Sequence, residues 1–160
     1  MISCTEFIPV YNELFKFLHK KYGKKAVVDF WKYISDEFLK NLDKLVKEKG
    51  IGGMAEYWTH TLTEEGAEYR MSVGRDYFEI YMERCPSVDI LNRKGMRKYP
   101  FYCEHCDVLY RRVIEKYDFR YKIEFIDTQK GICKLTVIPS KSRMKKRKKR
   151  LGAFRQKKIV

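Results

Sequence analysis

The spacing of apolar residues changes close to residue 67 of this chain of 160 residues, and the change restricts the folds that it can adopt. Before that point, apolar side chains recur every three or four residues, which is typical of amphipathic helices. After it, "AEYRMSV" and "YFEIYME" alternate around a "GRD" turn, and "RYKIEFID" and "ICKLTVIP" alternate around "TQKG". These patterns predict a helical first half and two β-hairpins in the second half.

The helical half contains three predicted helices that glycines separate. The first ends at Gly23, the second continues to about Val46, and the third is "MAEYWTHTLTEEGA" before Gly66. Glycine is common just after a helix because it adopts a left-handed backbone without strain. We therefore expect the second helix to stop at a group of three glycines: Gly50, Gly52 and Gly53.

A further helix is predicted between the hairpins, from about Tyr102 to Tyr117, after Pro100. "PSVDILNRKG" before it is expected to be a short helix or a loop, so the second half has the order ββαββ. Strands joined by short turns pair antiparallel, so the sequence predicts an α+β fold with N-terminal helices packed on an antiparallel four-stranded sheet. We expect one domain over residues 1–140, with a helical layer (1–67) and a ββαββ unit (68–139).

The net charge of +14 is concentrated near the end of the sequence. Residues 141–160 hold 11 Lys and Arg and no acidic residue, which leaves +3 for residues 1–140. We predict a flexible basic tail over 141–160 that has too little apolar content to fold alone and that contacts nucleic acid without sequence preference. No membrane span or secretion signal is predicted, so we expect no membrane partner and a cytoplasmic location.

Five cysteines give the most specific chemical signal: Cys4, Cys85, Cys103, Cys106 and Cys133. In a reducing compartment we expect thiols or metal ligands rather than disulfides. Cys85 closes the second predicted strand, Cys103 and Cys106 begin the connecting helix, and Cys133 lies in the last strand. Four of the five are therefore expected to converge at one end of the sheet, although for Cys4 and Cys133 a simple packing role is favoured.

Three chemistries fit such a cluster, and the sequence leaves them open. A zinc site would use all four converging sulfur atoms as ligands, two of them supplied by one C-x2-C turn. A redox pair would use "CEHC" at the start of a helix, where the helix dipole lowers the pKa of the first thiol. A reactive thiolate would lie in a small-molecule pocket, with His105 as acid or base and Tyr102 in the wall.

Three segments of the second half resemble a known family. They are "FEIYMERCPSVDIL", "YCEHCDVLYRRVIEKYDFRYKIEF" and "DTQKGICKLTV", between residues 68 and 138. They resemble the L-2-amino-thiazoline-4-carboxylic acid hydrolase-like family, in which a strand ends in Cys-Pro, a helix begins with Cys and Asp, and a turn with Gly precedes another Cys. The matching positions are Cys85-Pro86, Cys103 or Cys106 with Asp107, and Gly131 with Cys133.

This resemblance implies hydrolysis of a small cyclic amidine that carries a carboxylate. Water would add across the C=N bond of a thiazoline ring and open it. The implied catalytic residues are Cys85, Cys103, Cys106, His105 and Asp107. A cation would hold the substrate carboxylate, and the candidates for substrate binding are Arg84, Arg111 and Tyr102.

Two functions follow from these patterns. The first is a small-molecule hydrolase-like or ligand-binding domain with a cysteine-centred site and no certain cofactor. The alternative is a zinc-stabilised binding module, with Cys85, Cys103, Cys106 and Cys133 as ligands and a basic tail that contacts nucleic acid. The two differ in whether the sulfur atoms are thiols around a pocket or thiolates on a metal.

Overall fold

The computed structural model describes residues 4–144, with side chains from residue 6 onward. Its class is α+β, as predicted. The helices and strands follow in this order: α1 Cys4–Phe38, α2 Lys40–Lys49, α3 Ile51–Glu64, β1 Glu68–Val73, β2 Phe78–Arg84, α4 Pro86–Arg93, α5 Glu104–Ile114, a 3-10 turn Glu115–Tyr117, β3 Phe119–Asp127 and β4 Ile132–Pro139.

The four strands form one antiparallel sheet in the order β1-β2-β4-β3, so the two predicted hairpins meet at β2 and β4. Ile80 of β2 lies opposite Leu135 of β4, and both are buried. On the other face, Lys134 pairs with Glu79 across the same two strands at 2.9 Å. The sheet therefore has one core face and one solvent face, which is the alternation that the sequence predicts.

Two helices, rather than one, connect the hairpins, so the predicted order ββαββ is corrected to ββααββ. Pro86 occupies the start of α4, where a missing backbone N–H costs nothing. Val88 and Leu91 give α4 a buried face. Gly95 follows its end with φ +63, and the chain then runs to the start of α5.

The predicted breaks at Gly23 and at Gly50 are confirmed, and the structure has one further break, at Leu39, that was not predicted. Gly23 interrupts α1 with φ 81 and ψ 171, values that no helix contains. The second predicted helix stops at Phe38, and α2 forms a separate helix that ends at Gly50 with φ 58.

Gly52 and Gly53 lie inside α3, so the prediction that they belong to the stop after α2 is wrong. A Cβ added at Gly53 would lie 2.1 Å from the carbonyl oxygen of Leu45. The glycine is needed because α2 and α3 pack with their backbones close together, and not because the helix ends there.

Helix α5 lies between the sheet and α1. On the sheet side, Val113 and Ile114 are buried in the core. On the other side, the Ser35 hydroxyl donates to the Leu109 carbonyl at 2.8 Å. A second buried cluster fills the space between α1 and the chain that connects α4 to α5: Phe15, Val27, Trp31, Leu91, Tyr99 and Tyr102. The start of α5 is thereby fixed beside one end of the sheet.

Contacts with the domain continue past residue 140, where the sequence predicts the tail to begin. The Ser140 amide donates to the Asp118 carbonyl at 2.8 Å. The Arg143 guanidinium donates to the Tyr117 carbonyl at 2.7 Å and lies 4.1 Å from the centre of the Phe119 ring. The packed part thus reaches residue 144. The remainder of the predicted basic tail, residues 145–160, lies outside the described residues, and its contact with nucleic acid stays a prediction.

Candidate functional site: a cavity lined by four cysteines

Four cysteines lie around one cavity of about 30 Å³ at the end of the sheet. Cys85 and Cys103 are the residues just before α4 and α5, Cys106 lies in the first turn of α5, and Cys133 is in β4. Cys133 is paired with Met82 across β2 and β4. The predicted convergence is confirmed, and all four of these cysteines are free thiols.

Gly131 closes one side of the cavity. Its φ is +72, and an added Cβ would lie 2.7 Å from the Cβ of Cys85 and 2.9 Å from the Cβ of Val88. The β3–β4 turn therefore packs backbone against α4, which only glycine permits. The Asn92 side-chain amide, which donates to the Gln129 carbonyl at 2.9 Å, holds the same turn on α4.

Cys106 and His105 form a thiol–imidazole pair. Nδ1 of His105 faces the Tyr102 carbonyl, which can only accept, so Nδ1 carries the proton. Nε2 is then the acceptor, and it lies 3.5 Å from Sγ of Cys106. The imidazole is thus oriented by one hydrogen bond and is free to take a proton from the thiol at its other nitrogen.

Lys98 supplies a positive charge beside two residues that line the cavity, Cys103 and Thr128. Its Nζ lies 3.8 Å from Sγ of Cys103 and donates to the Thr128 carbonyl. No carboxylate in the described chain forms an ion pair with it. Lys98 cannot be identified as a site residue from the sequence, because no spacing motif connects "RKGMRKYP" with the "TQKG" turn. Only the folded chain brings the two segments together.

Burial, and not the helix dipole, determines the protonation state of the thiols. Burial raises the pKa of Cys85 to about 12 and that of Cys106 to about 12. It also raises the pKa of Cys133 and of Cys103, although the charge of Lys98 acts in the opposite direction at Cys103. Burial lowers the pKa of His105. The predicted thiolate at the start of the helix is therefore corrected to a set of neutral thiols beside a neutral imidazole.

Three of the predicted site residues do not line the cavity. Arg84 pairs with Glu68 at 2.7 Å and with Asp89 at 3.2 Å. Arg111 and Asp107 form an ion pair with each other at 2.6 Å. Tyr102 and His105 do line the cavity with the four cysteines, as predicted. The cation beside the thiols is Lys98 in place of the two arginines.

Among residues 4–144, no group of three or more His, Cys, Asp or Glu side chains is arranged to hold a metal ion. The predicted zinc ligands share the cavity without forming such a group. The same part of the chain contains no helix with the length and apolar character needed to cross a bilayer.

Comparisons with protein-family models, with curated proteins and with solved structures found no match for this chain. What the cavity does therefore has to be argued from the residues that line it.

Proposed function

We propose that this chain is a hydrolase-like, small-molecule-binding domain whose site is the cysteine-lined cavity. The ligand is a small carboxylate that contains an electrophilic C=N carbon, the chemistry of the thiazoline hydrolases that the sequence resembles. Cys106 is the nucleophile and His105 its proton acceptor. The observation that carries the proposal is the contact of 3.5 Å between Sγ of Cys106 and Nε2 of His105, with the ring oriented by Tyr102.

The reaction begins with a neutral thiol, so bond formation and proton transfer are coupled. As Sγ bonds to the C=N carbon, its proton passes to Nε2 and then to the ring nitrogen, which keeps the former π electron pair. The ring C–S bond breaks, and the leaving sulfur takes a proton from the amino group. Water then adds to the carbon still bound to Sγ, and the C–Sγ bond breaks. The carbon keeps the oxygen, and Sγ regains its proton.

The size of the cavity limits how much of a ligand it can enclose. Its volume of about 30 Å³ is roughly a tenth of the smallest usual ligand pockets. In this proposal the edge of the ring that carries the reacting carbon enters the cavity, and the rest of the ring stays outside, beside Phe125 and Thr128, both of which border the cavity. Lys98 then holds the carboxylate, because a cation that lacks an ion pair is available there.

Turnover of 2-amino-thiazoline-4-carboxylate tests the proposal directly. We expect the full chain to open the ring and the variants Cys106→Ser and His105→Asn to be slower by about 100-fold, since both remove part of the proton transfer. Mass spectrometry of the product gives the rates. His60→Asn is the matched control, because His60 is exposed on α3. Equal rates in the control and in Cys106→Ser would exclude Cys106 as nucleophile, and failure to bind the compound would contradict the proposal.

Substituting Lys98 separates ligand binding from the chemical step. Lys98→Met is expected to weaken binding of the same carboxylate about tenfold, because a charge-assisted hydrogen bond is lost. Titration calorimetry on Cys106→Ser protein, whose turnover is expected to be slow, measures this. Lys94→Met, an exposed position four residues earlier, should leave the affinity unchanged. If both lysine variants bind equally well, the carboxylate is held elsewhere.

A further inference from the structure

The cavity is small enough to be a site for a reactant much smaller than a thiazoline ring. A volume of about 30 Å³ holds one or two molecules of the size of water. Its lining contains the four thiols, apolar side chains such as Val88 and Ile132, and three other polar residues: His105, Asp127 and Thr128. A hydroperoxide of the size of hydrogen peroxide fits this space and is reduced by thiols.

Cys103 is the thiol best placed to react first. Its Sγ lies 3.8 Å from the ammonium of Lys98, and Cys103 lines the cavity. The thiolate is the nucleophile in thiol oxidation, and a neighbouring cation favours it. Burial raises the pKa of Cys103, and the charge of Lys98 opposes this rise. Among the four described thiols, Cys103 is the one on which Lys98 has this effect.

Cys106 is placed to complete a disulfide with Cys103. Cys103 has helical dihedral angles, φ −69 and ψ −20, and its carbonyl accepts a hydrogen bond from the Cys106 amide at 3.3 Å. Helical geometry separates Cα atoms three residues apart by about 5 Å. Disulfides span Cα separations of about 4.4–6.8 Å, so the backbone spacing of Cys103 and Cys106 is within the range that a disulfide bridges.

We propose that Cys103 and Cys106 form a reversible disulfide when a hydroperoxide enters the cavity. Sγ of Cys103 attacks one peroxide oxygen, the O–O bond breaks, and the departing hydroxide takes the Cys103 proton to become water. Cys103 is now a sulfenic acid. Sγ of Cys106 displaces the hydroxyl group from Cys103, and the Cys106 proton passes through Nε2 of His105 to give a second water. Two thiols are oxidised, and one hydroperoxide is reduced.

This chemistry goes beyond the proposed hydrolase-like function and does not depend on it. If both hold, the disulfide removes the nucleophile Cys106 and stops hydrolysis until a dithiol reductant reverses it. The state of the thiols can be measured without any substrate, so failure of one proposal leaves the other intact.

Oxidation of the reduced full chain with one equivalent of hydrogen peroxide tests the disulfide. We expect the mass to fall by two hydrogen atoms and differential alkylation to protect only Cys103 and Cys106. Cys106→Ser should stop at a sulfenic acid on Cys103, which dimedone traps, whereas Cys85→Ser and Cys133→Ser should still form the disulfide. Lys98→Met should slow the reaction about tenfold, and Lys94→Met should not.

Several results would overturn the proposal. A disulfide that includes Cys85 or Cys133, a bond between two chains, or dimedone on Cys106 instead of Cys103 would assign the chemistry to other thiols. Equal oxidation rates for Lys98→Met and Lys94→Met would remove the role of Lys98. Differential alkylation of the unsubstituted protein needs no variant, so it decides the disulfide even if a serine variant does not fold.

Discussion

Gly131→Ala is expected to lower the free energy of unfolding by about 3 kcal/mol, through a left-handed residue and a steric clash. Gly131 has φ +72, and the new methyl group would lie 2.7 Å from the Cβ of Cys85 and 2.9 Å from the Cβ of Val88. Neither Cβ can rotate away, because each is fixed to its backbone. Urea unfolding of the reduced protein, followed by far-UV circular dichroism, measures the loss.

Gly95→Ala is the matched control. Gly95 also has a positive φ, +63, but an added Cβ would meet nothing within 4 Å. Gly95→Ala should therefore lower the free energy of unfolding only by the strain of a left-handed alanine, about 1 kcal/mol. The difference of about 2 kcal/mol isolates the contact between the β3–β4 turn and α4. Equal losses in the two variants would mean that the turn does not pack against Cys85 in solution.

The two hairpins were predictable because β-strand alternation is local. Each strand has its polar and apolar sides set by consecutive residues, and each turn is short enough to join neighbouring strands. The glycines in the helical half were harder to interpret. Gly50 ends a helix and Gly53 allows two helices to touch, yet a sequence presents both in the same way, because close packing depends on a partner, here Leu45.

The position of the candidate site was also predictable, because most of these cysteines lie at the end of a predicted strand or at the start of a predicted helix. The protonation state of its thiols was not predictable. A helix start alone favours a thiolate, but the other elements that cover the thiols bury them, and at Cys85 and Cys106 burial outweighs the dipole. The position of Lys98 beside Cys103 likewise depends on the fold, whereas the ion pair of Arg111 with Asp107 joins residues four apart on one helix and is visible in the sequence.

Raising the pH from 8 to 10 is expected to lower the free energy of unfolding by about 3 kcal/mol through Cys85 and Cys106 alone. Burial raises the pKa of both thiols from 9.0 to about 12. A raised pKa in the folded state means that the thiol contributes its full stabilisation below pH 9. This contribution is lost as the pH rises towards 12, because the unfolded chain ionises first. Urea unfolding at the two pH values, with reductant present, measures the loss.

The double variant Cys85→Ser/Cys106→Ser identifies the groups responsible. Serine does not ionise in this range, so the difference in unfolding free energy between pH 8 and pH 10 should shrink by about 3 kcal/mol, and by about half of that in each single variant. Lysine ionisation is common to all these proteins and cancels in the comparison. Any loss of packing lowers stability at both pH values and cancels as well. An unchanged pH dependence would mean that these thiols are hydrated in solution, and their burial would then be the wrong description of the site.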